Sequence, residues 1–197
     1  MQSIWGFVTD FGDTAVTTPL AVLMVGFLLA VRQPHLAIGW GLAAVGCAGA
    51  IAALKLVLFA CGHVPGSGGL ASPSGHTALS VTVYGGFAAV IGTALARPAR
   101  GVLIVGTAML TIGIAASRVI LCCHSLIEVA VGLVVGAAAL GAILAIVARH
   151  RPARLPVAWL AAAALIIAML FHGVRWPAEQ AIQRFAALID FVRPWCS

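Results

Sequence analysis

Two polar clusters stand out in an apolar chain: Ser72-Pro73-Ser74-Gly75-His76, and Ser117-Arg118 followed by His124 and Glu128. In the first, Pro73 suits the first turn of a helix, Ser72 or Ser74 can cap it, and Gly75 lets a ligand approach the backbone. Such a start presents free N–H groups and the positive end of the helix dipole, an anion site that suits phosphate, with His76 beside it. An ordinary capped helix with an incidental histidine would read the same way. In the second cluster, Arg118 has the planar fork that binds phosphate oxygens bidentately. His124 and Glu128 are four apart and share one helical face. A carboxylate there can take the Nδ1–H of His124 and leave Nε2 as a nucleophile, or the two can simply satisfy each other near the membrane surface. Lys55, the only lysine in the chain, either snorkels from a helix end or supplies a further cation to the same anion.

The elements that must hold these groups are membrane helices. Of the 197 residues, 62% are hydrophobic and 8% charged, against about 25% charged in soluble domains. Mean hydropathy is +1.13. The apolar runs are far too long for barrel strands and do not alternate, so the expected fold is all-α: one polytopic helix bundle over residues 1–197. Six spans are expected, near 17–31, 36–61, 75–96, 101–121, 126–148 and 155–171. Residues 1–13, with Trp5, Phe7 and Phe11 beside Asp10 and Asp13, suggest an interfacial segment, and no cleavable signal peptide is evident. Residues 175–197 form an amphipathic tail in which Ile182, Phe185, Ile189 and Val192 recur at helical spacing, an interfacial helix or a cap on the bundle. Gly132-x-x-x-Gly136 fits close helix packing.

Arg32, then Arg97 and Arg100, then Arg149, Arg151 and Arg154 fall in alternate loops. The positive-inside rule makes that side cytoplasmic and sets both polar clusters on the opposite, periplasmic side of a bacterial inner membrane. The net charge of +6 comes from dispersed residues, which argues against nucleic acid as a partner. Cys47, Cys61, Cys122, Cys123 and Cys196 include no Cys-x-x-Cys pair, so neither a zinc site nor a redox motif is indicated, and Cys47 and Cys61 read as small core residues. His35, His150 and His172 read as interfacial polar groups.

The order Lys55…Pro73-Ser74-Gly75-His76…Ser117-Arg118-x5-His124-x3-Glu128 resembles the type 2 phosphatidic acid phosphatase family, membrane relatives of bacterial non-specific acid phosphatases and vanadium haloperoxidases. The resemblance covers residues 55–128. It implies a metal-independent lipid phosphatase without a cofactor. In that reading His124 attacks phosphorus, Glu128 orients it, and His76 protonates the leaving oxygen and then activates water. Lys55, Ser74, the Gly75 amide and Arg118 would hold the phosphoryl oxygens. The implied substrate is a phosphomonoester or diphosphate lipid, such as phosphatidic acid, phosphatidylglycerol phosphate, undecaprenyl diphosphate or a lipid A phosphate. Two departures are present. The family pattern has Arg-Pro after six intervening residues beyond the lysine, whereas Gly62-His63 stands here, so one phosphate-binding cation is missing unless His63 substitutes for it. The final acid is Glu128 instead of the usual Asp. A non-catalytic lipid-binding member of the family and a small transporter or proton relay using His76, His124 and Glu128 are the alternatives.

Overall fold

A computed structural model describes residues 4–61, 70–150 and 155–188. His63, Arg151, Arg154 and the tail beyond 188 lie outside these. Eight helices occur among the described residues: α1 (Ile4–Asp10), α2 (Thr14–Ala30), α3 (Pro34–Ala60), α4 (Gly75–Gly92), α5 (Arg97–Ile120), α6 (Leu126–His150), α7 (Val157–Phe171) and α8 (Ala178–Leu188). Helices α2 to α7 occupy the six expected spans. By length and apolarity, Ile4–Ala30, Pro34–Ala60, Arg97–Ile120 and Leu126–His150 can each cross a membrane, and α7 is shorter. The arrangement is that of a multi-pass membrane protein.

Local sequence sets the boundaries. Asp13 caps α2, its Oδ1 accepting the Ala15 N–H at 2.8 Å. Pro34 opens α3 where its missing N–H costs nothing. At the end of α2, Arg32 turns left-handed (φ 57°), so that Gln33 N–H reaches Leu28 O at 2.8 Å and Arg32 N–H reaches Leu29 O at 3.0 Å. This reverses the chain into α3.

Helix α4 sits inside the bundle, packed on α6, α5, α3 and α2. The main core joins Leu20, Met24 and Leu28 of α2 to Leu36 and Trp40 of α3, Val83 and Val90 of α4, and Ile143 of α6. Large apolar side chains such as Val102, Met109, Ile112, Val134 and Trp159 are exposed, as hydrocarbon solvent requires. His35 and His150 stack with centroids 5.5 Å apart. The start of α3 and the end of α6 therefore meet at one end of the bundle, opposite the polar clusters. Cys47 is buried as expected. Cys61 is not a free core residue: it lies just past the end of α3 and is disulfide-bonded.

Candidate active site

The turn between α5 and α6 places His124. Past Leu121 the chain goes left-handed at Cys122 (φ 54°). Cys122 N–H then bonds Val119 O at 2.9 Å, and the Arg118 carbonyl accepts from both Cys123 N–H at 3.0 Å and His124 N–H at 3.1 Å. The tight turn lands His124 beside Arg118. Holding a non-glycine residue there costs about 1–2 kcal/mol. The next helix begins with a reciprocal cap: Ser125 Oγ accepts Glu128 N–H at 3.3 Å while Glu128 Oε2 accepts Ser125 N–H at 3.0 Å. The same Oε2 lies 3.2 Å from His124 Nδ1. With Nδ1–H donated to Glu128, Nε2 carries the free lone pair.

Glu128 also joins the two clusters. Its Oε1 accepts Ser72 N–H at 2.6 Å and Ala71 N–H at 3.1 Å, and its carbonyl accepts Ser74 N–H at 3.0 Å. One carboxylate thus fixes the imidazole and the entry to α4 together. The α4–α6 seam is as close as the glycine spacing suggests. A Cβ on Gly132 would collide with the Ser74 carbonyl, and one on Gly136 would lie 2.6 Å from Ala78 O. Ser74 is fully buried. Its Oγ accepts from Thr77 N–H at 3.4 Å and Thr77 Oγ1–H at 3.0 Å, so its hydroxyl is spent capping α4. It does not line the cavity where the phosphate would sit; Ser72 does, and Pro73 precedes the helix instead of entering its first turn.

That cavity, of about 420 Å³, is lined by Lys55, Ser72, Gly75, His76, Arg118 and His124. Six positions spread over the sequence converge there. Arg118 Nη1 donates to Thr9 Oγ1 at 3.1 Å, and its buried Nε has no hydrogen-bond partner among the described residues. His76 Nε2 lies 3.6 Å from Asp13 Oδ2. Residues that sequence reasoning left aside complete the ring: Thr9 and Asp13 from the N-terminal segment, and Trp176, Glu179, Ile182 and Gln183 from the tail. Glu179 forms an ion pair with Lys55 and accepts from Ser72 Oγ at 2.7 Å. The tail is a cap, but the face it turns inward is Glu179, Ile182 and buried Ala186, at i, i+3 and i+7; Phe185 of the expected apolar stripe is exposed. In sequence that segment was marked only as interfacial, by Trp5, Phe7 and Phe11 beside Asp10 and Asp13. Arg175 bonds Asp10 Oδ1 at 3.1 Å and so ties the tail to α1.

Electrostatics favour a neutral nucleophile. Burial pushes His124 below the ordinary histidine range, and the Arg118 and Lys55 charges push it further, against the opposing bond to Glu128. Burial would raise Glu179, but the Lys55 charge and the bonds to Lys55 and Ser72 prevail and hold it below the usual carboxylate range. A second, apolar cavity of about 470 Å³ runs between α2 and α3, lined by residues from Thr14 to Leu29 and from Trp40 to Ala48, with Leu79 and Val83. Thr14, Ala48 and Leu79 line both cavities, so the two adjoin.

Residues 57–152 match the family model described as PAP2 superfamily, a match that supports a phosphatase-type function and spans α4, α5, α6 and both polar clusters except Lys55. No curated protein and no solved structure matches the chain.

Proposed function

From the match of residues 57–152 to the PAP2 superfamily model, we propose that the chain hydrolyses a lipid phosphomonoester or diphosphate through a phosphohistidine, with neither metal nor cofactor. The observation that carries this reading is His124 Nδ1 lying 3.2 Å from the buried Glu128 carboxylate, in a cavity that also holds Lys55 and Arg118, an arrangement in which Nδ1–H donates to Glu128 and Nε2 carries the lone pair. His124 Nε2 forms a bond to phosphorus as the P–O bond to the leaving group breaks. His76 gives that oxygen its proton. Water then attacks phosphorus, His76 takes back a proton, and the N–P bond breaks to release phosphate. Lys55, Arg118 and the Gly75 amide offset the charge on the equatorial oxygens, the chief demand of phosphoryl transfer. His124 attacks as the neutral ring that its surroundings favour.

The apolar cavity adjoining the site supports a lipid, since a hydrocarbon chain could lie against α2 and α3 while its phosphate reaches His124. The extracytoplasmic face is supported by two observations. Arg32, Arg97, Arg100 and Arg149 lie at or near helix ends remote from the site. Cys61, at the site end of α3, is oxidised, which suits the periplasm and not the cytosol. The test is release of inorganic phosphate from a panel of lipid phosphates in detergent with EDTA present. Wild type should release phosphate and be blocked by vanadate, and His124→Ala should reduce release to background. Equal release by His124→Ala would sink the proposal. Silence on every lipid would favour a lipid-binding member of the family, in which Gly62-His63 replaces the missing Arg-Pro.

A further inference from the structure

We infer that Asp13, outside the segment matched to the PAP2 superfamily, is a positioning residue that holds His76 as the imidazolium needed to protonate the leaving group; this rests on the phosphatase reading above. The geometry divides the carboxylate's two oxygens between two tasks. Oδ1 caps α2 by accepting Ala15 N–H at 2.8 Å. Oδ2 faces His76 Nε2 across 3.6 Å. That gap exceeds a direct hydrogen bond, and both side chains line the same cavity. A leaving-group oxygen, or later the hydrolytic water, can approach Nε2 there while the carboxylate stays near enough to stabilise a charged ring.

The backbone is arranged for this approach. The break between α1 and α2 passes so close to α4 and α5 that a Cβ on Gly12 would lie 2.6 Å from Ile114 Cγ2 and 3.3 Å from His76 Cβ. Only glycine lets Asp13 come within reach of the histidine. Asp13 is itself buried, where an unpaired carboxylate would be costly.

His76 needs such a partner. The charged and titratable groups around it are Lys55 from α3, Arg118 from α5, Cys123 and His124 from the α5–α6 turn, Glu179 from α8 and Asp13 itself. Lys55 and Arg118 bring two positive charges to the same cavity. Glu179 is engaged by Lys55 and Ser72, and Glu128 by His124 and three backbone amides. Asp13 is the carboxylate that faces His76. It stays ionised through the cycle: His76 loses its proton to the leaving oxygen, regains one from water, and Asp13 favours the charged ring at both ends.

The experiment replaces Asp13 with Asn and, separately, with Ser. Both retain a helix cap and neither carries charge. An opposite charge at this range moves a titration by one unit or more. The alkaline limb of kcat/KM, where His76 must remain protonated, should therefore move to lower pH by about one unit in both variants. Above that limb the rate should fall about tenfold, with the plateau below it within about twofold of wild type. In parallel, the ring resonances of His76, assigned by loss in His76→Gln, should titrate about one unit lower in Asp13→Asn, read in the turnover-free His124→Ala background. If wild type releases no phosphate, the phosphatase reading fails while the resonance titration still tests the pair. An unmoved limb together with an unmoved titration, or a rate lowered equally at every pH, would overturn the inference and leave Asp13 a cap alone.

Discussion

Replacing Glu128 with Gln probes the joint between the two clusters. The carboxylate accepts four N–H groups: Ala71 at 3.1 Å and Ser72 at 2.6 Å on Oε1, Ser125 at 3.0 Å and His124 Nδ1 at 3.2 Å on Oε2. Glutamine has one oxygen for these four donors. If that oxygen serves Ala71 and Ser72, its NH2 faces Ser125 N–H and His124. The imidazole then accepts at Nδ1, and the proton moves to Nε2, the atom that must attack. If the amide is reversed, the loop entering α4 loses its anchor. Bonds to a charged acceptor contribute about 1.5–3 kcal/mol each. Losing one to two of them costs about 2–4 kcal/mol of stability. The wrong tautomer lowers kcat by about 10³–10⁴, or roughly 4–5.5 kcal/mol of barrier. KM should change little, because Lys55 and Arg118 are untouched. Phosphate release against lipid concentration, with thermal unfolding run alongside, measures both effects. A variant that keeps kcat within tenfold of wild type would refute the claim that Glu128 sets the tautomer of His124.

Three further outcomes are expected. Gly132→Ala should lower stability by about 1–3 kcal/mol, because its Cβ meets the Ser74 carbonyl backbone, whereas Gly46→Ala, with nothing within 4 Å, should stay within about 0.5 kcal/mol; denaturation in detergent compares them. The acid limb of kcat/KM should lie below the ordinary histidine value of 6.5, because burial and the two cations keep His124 neutral to lower pH; a rate that already drops on acidification while the pH is still above 7 would contradict this. The same shift makes the fold lose stability as pH drops from 6.5 through the folded value, since only the unfolded chain takes up that proton. Glu179→Gln should tighten vanadate inhibition about two- to fivefold, the scale of a partly exposed ion pair, by freeing Lys55; unchanged or weaker inhibition would show that Glu179 does not compete for the phosphate site.

Much of the site was legible because its residue types are so scarce in this chain. In a sequence built of Ala, Val, Leu, Ile and Gly, a lone lysine and a His-x3-Glu spacing carry their meaning locally. The four-residue interval anticipated the His124–Glu128 contact, although His124 lies in the turn before α6 and meets Glu128 through the cap at Ser125 instead of along a helical face. The glycine pair at 132 and 136 likewise announced a close helix contact through helical period alone, while the structure supplied α4 as the partner. Ser74 shows where local reading ends. Two serines flank Pro73, and which one caps α4 and which faces the cavity depends on how the entry loop hangs from Glu128, a residue more than fifty positions away.

By itself the sequence determined the solvent, the helical class, the order of the spans and several of the polar residues that line one cavity. Those properties follow from hydropathy and from spacings shorter than two helical turns. Only the tertiary structure decided that Asp13 from before α2 and Glu179 from the last helix line the same cavity, and that Thr9 bonds the Arg118 beside them. Their carboxyl and hydroxyl groups look like ordinary interfacial residues in sequence. Their partners, His76, Arg118 and Lys55, lie 63 to 124 residues away, a separation over which no local periodicity operates and only helix packing brings side chains together.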